Sequence, residues 1–415
     1  MPTGLMLKGR STRPKGSATG SRSTTSKIRN KRLRRKKRVK YYSRSASHRA
    51  CNMTPSQRTP APDRENQSRP TTDSLAYSLA RYSEIPRSLK FPLNQPDRWE
   101  NWRAEARSKL SQLIGLPQEL HEHRTALESE FGPAVVRSGY VRQFVRFETR
   151  TGCEAVGWLL IPEKIDGPRP AMICLPGHGR GIDEITGIDE KGLDNESAQS
   201  YQHNFALQCV LQGYVTLALE MIGFGHRRDP AARKRGSGAS SCMPAAGAAL
   251  MLGESMVGWR VWDTVRAIDF LTGLSDVDSS RIGLMGISGG GTVSLYAAAL
   301  DDRVAFAMLS CSYCTFRDSI YAVSHCIDNY VPGILKWLEV ADLAALIAPR
   351  LLFCEAGAAD DIFPEPGVRE AFDEAHRSYE AMKAGGNLGL HVFQAGHVFD
   401  GRQAFPWIAQ RLSSN

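Results

Sequence analysis

The sequence predicts an α/β fold with a mostly parallel central sheet covered by helices on both faces. Three observations predict it. From Pro170 onward, short apolar runs of strand length alternate with longer helical stretches. Those runs are apolar throughout, as in strands buried on both faces, and do not alternate as half-exposed strands do. One of them passes through a glycine-rich turn into a helix of small residues. The composition agrees, since 415 residues with 42% hydrophobic and 23% charged side chains can bury a large core.

The chain opens differently. Residues 1–70 are rich in Ser, Thr, Arg, Lys and Pro around the block Lys31-Arg32-Leu33-Arg34-Arg35-Lys36-Lys37-Arg38, and cannot bury a core. Residues 1–50 hold 17 Lys and Arg and no Asp or Glu, which leaves 36 basic against 43 acidic residues in the rest. The net charge of +10 is therefore a property of the tail, and the body is mildly acidic. Such a block could bind nucleic acid or an anionic surface, but it has no interleaved aromatics and no accompanying nucleic-acid fold motif. The expectation is a disordered basic tail, or sequence upstream of a start at Met53.

Residues 71–133 read as a helical segment packed on the body, with Trp99, Trp102, Ala106, Leu110 and Leu113 recurring every three or four residues in a pattern running from Ser74 to Leu116. Residues 134–415 read as the catalytic domain. Its first strands, Val141–Phe147 and Gly157–Ile161, predict a hairpin at the sheet edge. The parallel strands expected after it are Ala171–Leu175, Val215–Leu219, Ile282–Gly286, Ala305–Leu309, Leu351–Glu355 and Leu390–Gln394. An Arg-rich and Ala/Gly-rich stretch at about 223–256 interrupts this order and reads as a lid-like insertion.

Nine cysteines, odd in number and several of them within apolar runs, do not make a disulfide framework. Cys311 and Cys314 have no second Cys/His pair at zinc-site spacing, so they read as structural thiols. No apolar stretch reaches the roughly 18 residues of a membrane span, and no apolar run follows the basic start as an export signal requires. These observations predict a cytoplasmic location and no membrane span.

The chemistry centres on Gly286-Ile-Ser288-Gly-Gly290, a G-x-S-x-G motif preceded by an apolar strand and followed by the helix through Thr292, Val293, Tyr296 and Ala299. That context lifts a serine onto a sharp strand-to-helix turn, where a side chain at either flanking glycine would strike backbone. The plainer alternative is a phosphate-binding turn, but neither a P-loop Lys-Ser/Thr nor a G-x-G-x-x-G is formed here. A serine hydroxyl is a poor nucleophile, so a base and a group orienting that base must follow. After the strand ending at Glu355, the loop carries Asp360 and Asp361; Asp360 is the chosen acid, with Asp361 as competitor and Glu355 as a more distant one. Each could instead be a turn or capping carboxylate. Of the histidines beyond, His376 lies on a helix face and His391 inside the last strand, where a packed, hydrogen-bonded ring is expected. His397 stands just past that strand, after Gly396, and is the predicted base. The oxyanion donors expected are the backbone N–H of Gly289 and that of Arg180 or Gly179, from the loop Pro176-Gly-His178-Gly-Arg180-Gly181. His178 is expected only to shape that loop.

The stretch Val277-Asp-x-x-Arg281-Ile-Gly-x-x-Gly-x-Ser288, with Gly258-Trp-Arg-Val-Trp-Asp263 upstream and Gly396-His397-Val-Phe downstream, resembles the acetylxylan-esterase and dienelactone-hydrolase branch of the α/β-hydrolase fold over about residues 100 to 412. The resemblance implies triad roles for Ser288, Asp360 and His397, oxyanion roles for Arg180 and Gly289, and a structural ion pair between Arg260 and Asp263. The chain departs from the pattern at two points. Ser288 replaces the cysteine of true dienelactone hydrolases, and Gly289 stands where glucuronoyl esterases carry Arg, which counts against that activity. The expected function is hydrolysis of a small acyl ester, acetyl or related, on a small molecule or carbohydrate, with no metal, no organic cofactor and no nucleic acid needed for catalysis. Two rivals remain: a prolyl-oligopeptidase-like peptidase, for which propeller repeats are missing from the sequence, and a hydrolase-fold binding protein without catalysis, although all three triad positions are filled.

Overall fold

Prolines decide the fate of the N-terminal helical pattern. The computed structural model describes residues 71–116, 127–164, 166–195, 197 and 200–413, so the expected basic tail lies outside the described residues. The expected continuous helical pattern is two helices. The first, Ser74–Glu84, is capped by Asp73, whose carboxylate accepts from the N–H of Leu75 and Ala76. Pro86, Pro92 and Pro96 interrupt the chain, because a proline lacks the N–H a helix interior needs. The second helix, Trp99–Ile114, ends where Gly115 turns left-handed at φ +75°. Its stripe Trp102, Ala106, Leu110 and Ile114 is buried, while Trp99 and Leu113 are only partly so. Trp102 donates from Nε1 to the Leu89 carbonyl at 2.9 Å and meets Phe91 edge-on at 5.0 Å.

Residues 70–415 form one compact unit built on a nine-stranded sheet. Its strands are β1 (Ser129–Arg137), β2 (Tyr140–Arg150), β3 (Cys153–Pro162), β4 (Arg169–Leu175), β5 (Val215–Leu219), β6 (Val277–Ile287), β7 (Val304–Ser310), β8 (Leu351–Gly357) and β9 (Leu388–Phe393). Their order is β1-β2-β3-β5-β4-β6-β7-β8-β9, antiparallel from β1 as far as the β3–β5 pair and parallel from there on. The six expected parallel strands fall on β4 to β9. The hairpin of β2 and β3 forms as expected, but it is not at the edge, because β1 pairs outside it. Residues 129–137 gave no strand signal because they are exposed or half-buried on both faces, so no alternation marks them. β1 also crosses the expected domain boundary at 133/134.

Alternate residues of the central strands feed two separate cores, which is the physical meaning of their continuous apolar runs. In β4, Ala171, Ile173 and Leu175 face one cluster and Met172 and Cys174 the other. In β7, Ala307 and Leu309 oppose Phe306 and Met308 in the same way. The helix Gly289–Leu300 after β6 is buried at every residue. The insertion at about 223–256 folds as a helical turn and two helices, Pro230–Lys234 and Cys242–Met251, and leaves Met243, Met251 and Leu252 exposed. All eight described cysteines are free thiols, and among the described residues no helix is long and apolar enough to cross a membrane.

Candidate active site

Ser288 sits where β6 turns into the helix Gly289–Leu300, with φ +56° and ψ −126°. This is a strained conformation for a residue with a side chain, and such strain persists only where the surroundings impose it. They do so here by close approach. A Cβ at Gly290 would overlap the Leu175 carbonyl, and one at Gly286 would overlap the backbone of Gly290. The Ser288 N–H is held by the Ser310 carbonyl of β7 at 3.0 Å. Gly289 is the first residue of the helix, so its N–H has no intrahelical acceptor and lies at the positive end of the helix dipole.

The loop after β8 carries Asp360. Asp360 is buried, and its Oδ1 accepts from the N–H of Ile362 and Phe363 at 2.9 and 3.1 Å, which fixes the carboxylate. Its Oδ2 lies 2.7 Å from His397 Nδ1. Asp361 is exposed. Glu355 is occupied elsewhere, accepting from Ser310 Oγ at 2.6 Å and from the N–H of Asp400 and Gly401 at 2.9 Å; burial pushes its carboxyl up to about 7. The structure thus joins Asp360, and not its competitors, to His397.

The His397 ring stacks between Tyr201, centroids 5.4 Å apart, and Phe363, 5.8 Å apart. Its loop is tied down by Phe399 N–H on the Tyr201 carbonyl and by Cys311 Sγ against the Val398 carbonyl. Tyr201 also reaches the glycine-rich loop after β4, donating its hydroxyl to the His178 carbonyl at 2.8 Å. That loop meets Ser288, since a Cβ at Gly177 would stand 3.2 Å from Ser288 Cβ and also strike the Tyr201 hydroxyl. Ser288, Tyr201 and His397 therefore share one neighbourhood. No hydrogen bond joins Ser288 to His397 among the described residues, a contact that commonly tightens only when substrate arrives.

The oxyanion expectation is corrected at one residue. The N–H of Arg180 donates to Glu184 Oε2 at 2.7 Å, so it is not free to hold a developing charge. Of the two donors expected from this loop, Gly179 is the one left.

The expected ion pair between Arg260 and Asp263 does not form. They lie one turn apart on the buried helix Met256–Thr272, yet each is drawn to a charge on another element. Arg260 Nη1 lies 2.6 Å from Asp328 Oδ2, and Asp263 Oδ2 lies 2.6 Å from Arg227 Nη1. Asp328 in turn faces His178 Nε2 at 3.4 Å. Burial alone would raise the Asp328 carboxyl, but with the charge of Arg260 beside it the group is held below the ordinary value. Burial pushes the His178 imidazole below its ordinary value.

His376 is half-exposed near Glu380, as a solvated helix residue should be. His391 is in β9, but its Nδ1 stands 3.6 Å from Asp400 Oδ2 and lacks a hydrogen bond, contrary to the expected satisfied ring. Sequence reasoning missed Tyr201, Phe363, Asp328 and Asn329, which carry no motif and come from distant segments. The amide of Asn329 stands 3.6 to 3.8 Å from the Cβ position of Gly289.

A profile of the Abhydrolase family matches residues 86–394. The chain belongs to the Abhydrolase family. Among curated proteins it is 29% identical over 287 residues to "Putative hydrolase YtaP" of Bacillus subtilis (strain 168), covering 68% of this chain and 88% of that one. Among solved structures, a "putative acetyl xylan esterase (BF1801)" from Bacteroides fragilis NCTC 9343 has a TM-score of 0.70 at 17% identity, covering 83% of this chain and 95% of that one. A glucuronoyl esterase from Solibacter usitatus has a TM-score of 0.59 at 16% identity, covering 79% and 98%. At these identities the shared property is the fold, and it is the α/β-hydrolase fold expected from the sequence.

Proposed function

We propose that this member of the Abhydrolase family is a serine esterase that cleaves a small acyl ester, acetyl or related, through an acyl-enzyme. The observation that carries the reading is the strained Ser288 on its elbow beside a His397 already bonded to the buried Asp360 at 2.7 Å. Asp360 accepts the Nδ1 proton and so leaves Nε2 as the basic nitrogen. Ser288 Oγ attacks the ester carbonyl while Nε2 takes its proton. The oxyanion forms at the N–H of Gly289 and Gly179, at the positive end of the helix. The imidazolium returns the proton to the departing alcohol. Water then repeats the sequence on the acyl-enzyme and releases the acid. Every step is acid–base and nucleophilic chemistry of a serine, a histidine, a carboxylate and backbone amides, and none calls for a metal or organic group.

A carbohydrate as the alcohol is supported by the acetyl xylan esterase of the same fold, whose ester lies on a sugar hydroxyl. Gly289, where glucuronoyl esterases carry Arg, speaks against a glucuronoyl ester. The test is hydrolysis of p-nitrophenyl acetate by wild type and Ser288→Ala. Loss of turnover in the variant is expected; equal rates would remove the proposal. Esters cleaved in preference to dipeptide amides are expected as well, and the reverse preference would favour a peptidase.

A further inference from the structure

Beside the Asp360–His397 pair stands a second buried carboxylate with an imidazole. Asp328 is fully buried, fixed by Arg260 at 2.6 Å, and directs Oδ2 at His178 Nε2 at 3.4 Å. A buried ion pair contributes little net stability and is better explained by what it holds in place. What it holds is His178, whose side chain is 29% exposed, one residue from the Gly177 that touches Ser288. Nε2 is the ring nitrogen that faces Asp328, and a carboxylate only accepts, so a neutral ring that turns its proton toward Asp328 leaves Nδ1 as an acceptor. Asn329, next to Asp328, brings an amide against the elbow at Gly289, and its Oδ1 is buried without a partner. Its Nδ2 stands 3.4 Å from His325 Nδ1, and His325 Nε2 is likewise buried and unsatisfied. Buried polar atoms are rarely left unpaired, and two such atoms, Asn329 Oδ1 and His325 Nε2, on the segment that reaches the elbow point to a hydroxyl-bearing ligand.

We infer that His178, locked by Asp328 and Arg260, is a specificity-determining residue whose Nδ1 accepts a hydrogen bond from a substrate hydroxyl next to the scissile ester, so that the enzyme selects esters of polyols or sugars. The inference rests on the esterase reading and names its substrate class. Asn329 and His325 extend the same polar rim. A site built to bond a hydroxyl discriminates against the analogue lacking it, because its own polar group is then left unpaired.

The test compares 2,3-dihydroxypropyl acetate with propyl acetate, which differ only in two hydroxyls. Wild type is expected to show kcat/KM about tenfold or more higher for the dihydroxy ester. H178Q can still reach Asp328 with its amide but lacks Nδ1. In H178Q the preference is expected to collapse to within about threefold, the loss of kcat/KM on the dihydroxy ester exceeding that on propyl acetate. Equal kcat/KM for the two esters in wild type would overturn the inference and leave the esterase reading standing. An equal loss on both esters in H178Q would also overturn it, since that is what mere loop shaping predicts. Failure of wild type to cleave either ester would overturn the esterase reading itself, and the inference with it.

Discussion

Asp360→Asn puts the assignment of the acid to its sharpest test, because the substitution preserves almost everything else. The two backbone bonds that fix the carboxylate, from Ile362 and Phe363 to Oδ1, can be kept by the amide oxygen. Volume and burial are unchanged. What changes is the group facing His397 Nδ1 at 2.7 Å, from an acceptor to an NH2 donor. The imidazole must then offer Nδ1 as acceptor and carry its proton on Nε2, where a base is needed. Loss of the correct tautomer together with imidazolium stabilisation costs on the order of 10⁴ in kcat, about 5.4 kcal/mol of barrier. KM is expected to change little, since Asp360 does not touch substrate. The neighbouring D361N, on an exposed side chain, is expected to leave kcat within about twofold of wild type. Steady-state kinetics on p-nitrophenyl acetate for the three proteins, with circular dichroism to show equal folding, decides the matter. A D360N enzyme within tenfold of wild type, or a D361N loss as large as that of D360N, would refute the assignment.

Three further outcomes follow from the packing. Removing one partner of the buried Arg260–Asp328 pair, as in R260A, is expected to cost about 3–5 kcal/mol in urea unfolding, and a double-mutant cycle should couple Arg260 to Asp328 more strongly than to Asp263. Trp102→Ala should cost about 3–5 kcal/mol, because the ring is buried against Phe91 and its N–H is bonded to Leu89. Glu355 has its carboxyl raised by burial from 4.5 to about 7, so the native state holds its proton more tightly than the unfolded chain does. Its contribution is fully present below about pH 4.5 and is lost as pH rises toward about 7, so the melting temperature of E355Q should depend less on pH across that window than that of wild type.

The parallel half of the sheet was legible because its strands are buried on both faces, and continuous apolar runs such as Val215–Leu219 can then mean little else. The elbow was legible because its glycines are dictated by backbone approach, which leaves a fixed spacing in the sequence. β1 was not, since an exposed strand leaves no period to read. The break between the two N-terminal helices is written in three prolines, Pro86, Pro92 and Pro96, while the Trp stripe beyond them carries the stronger helical period. The partners of Arg260 and Asp263 were out of reach for another reason. Helix periodicity brings residues three apart together, but Asp328 and Arg227 come from short helical turns whose approach only the tertiary fold decides. Arg180 shows the same limit at atomic scale: the glycine-rich loop was identified, but which of its N–H groups stays free depended on Glu184 four residues on.

The most direct measurement is covalent: wild type and S288A treated with a fluorophosphonate, digested, and mapped by peptide mass spectrometry. A single adduct on Ser288, with hydrolysis lost in parallel and neither labelling nor turnover in S288A, is the predicted result. Labelling at another residue, or ester turnover that survives in S288A, would contradict the account.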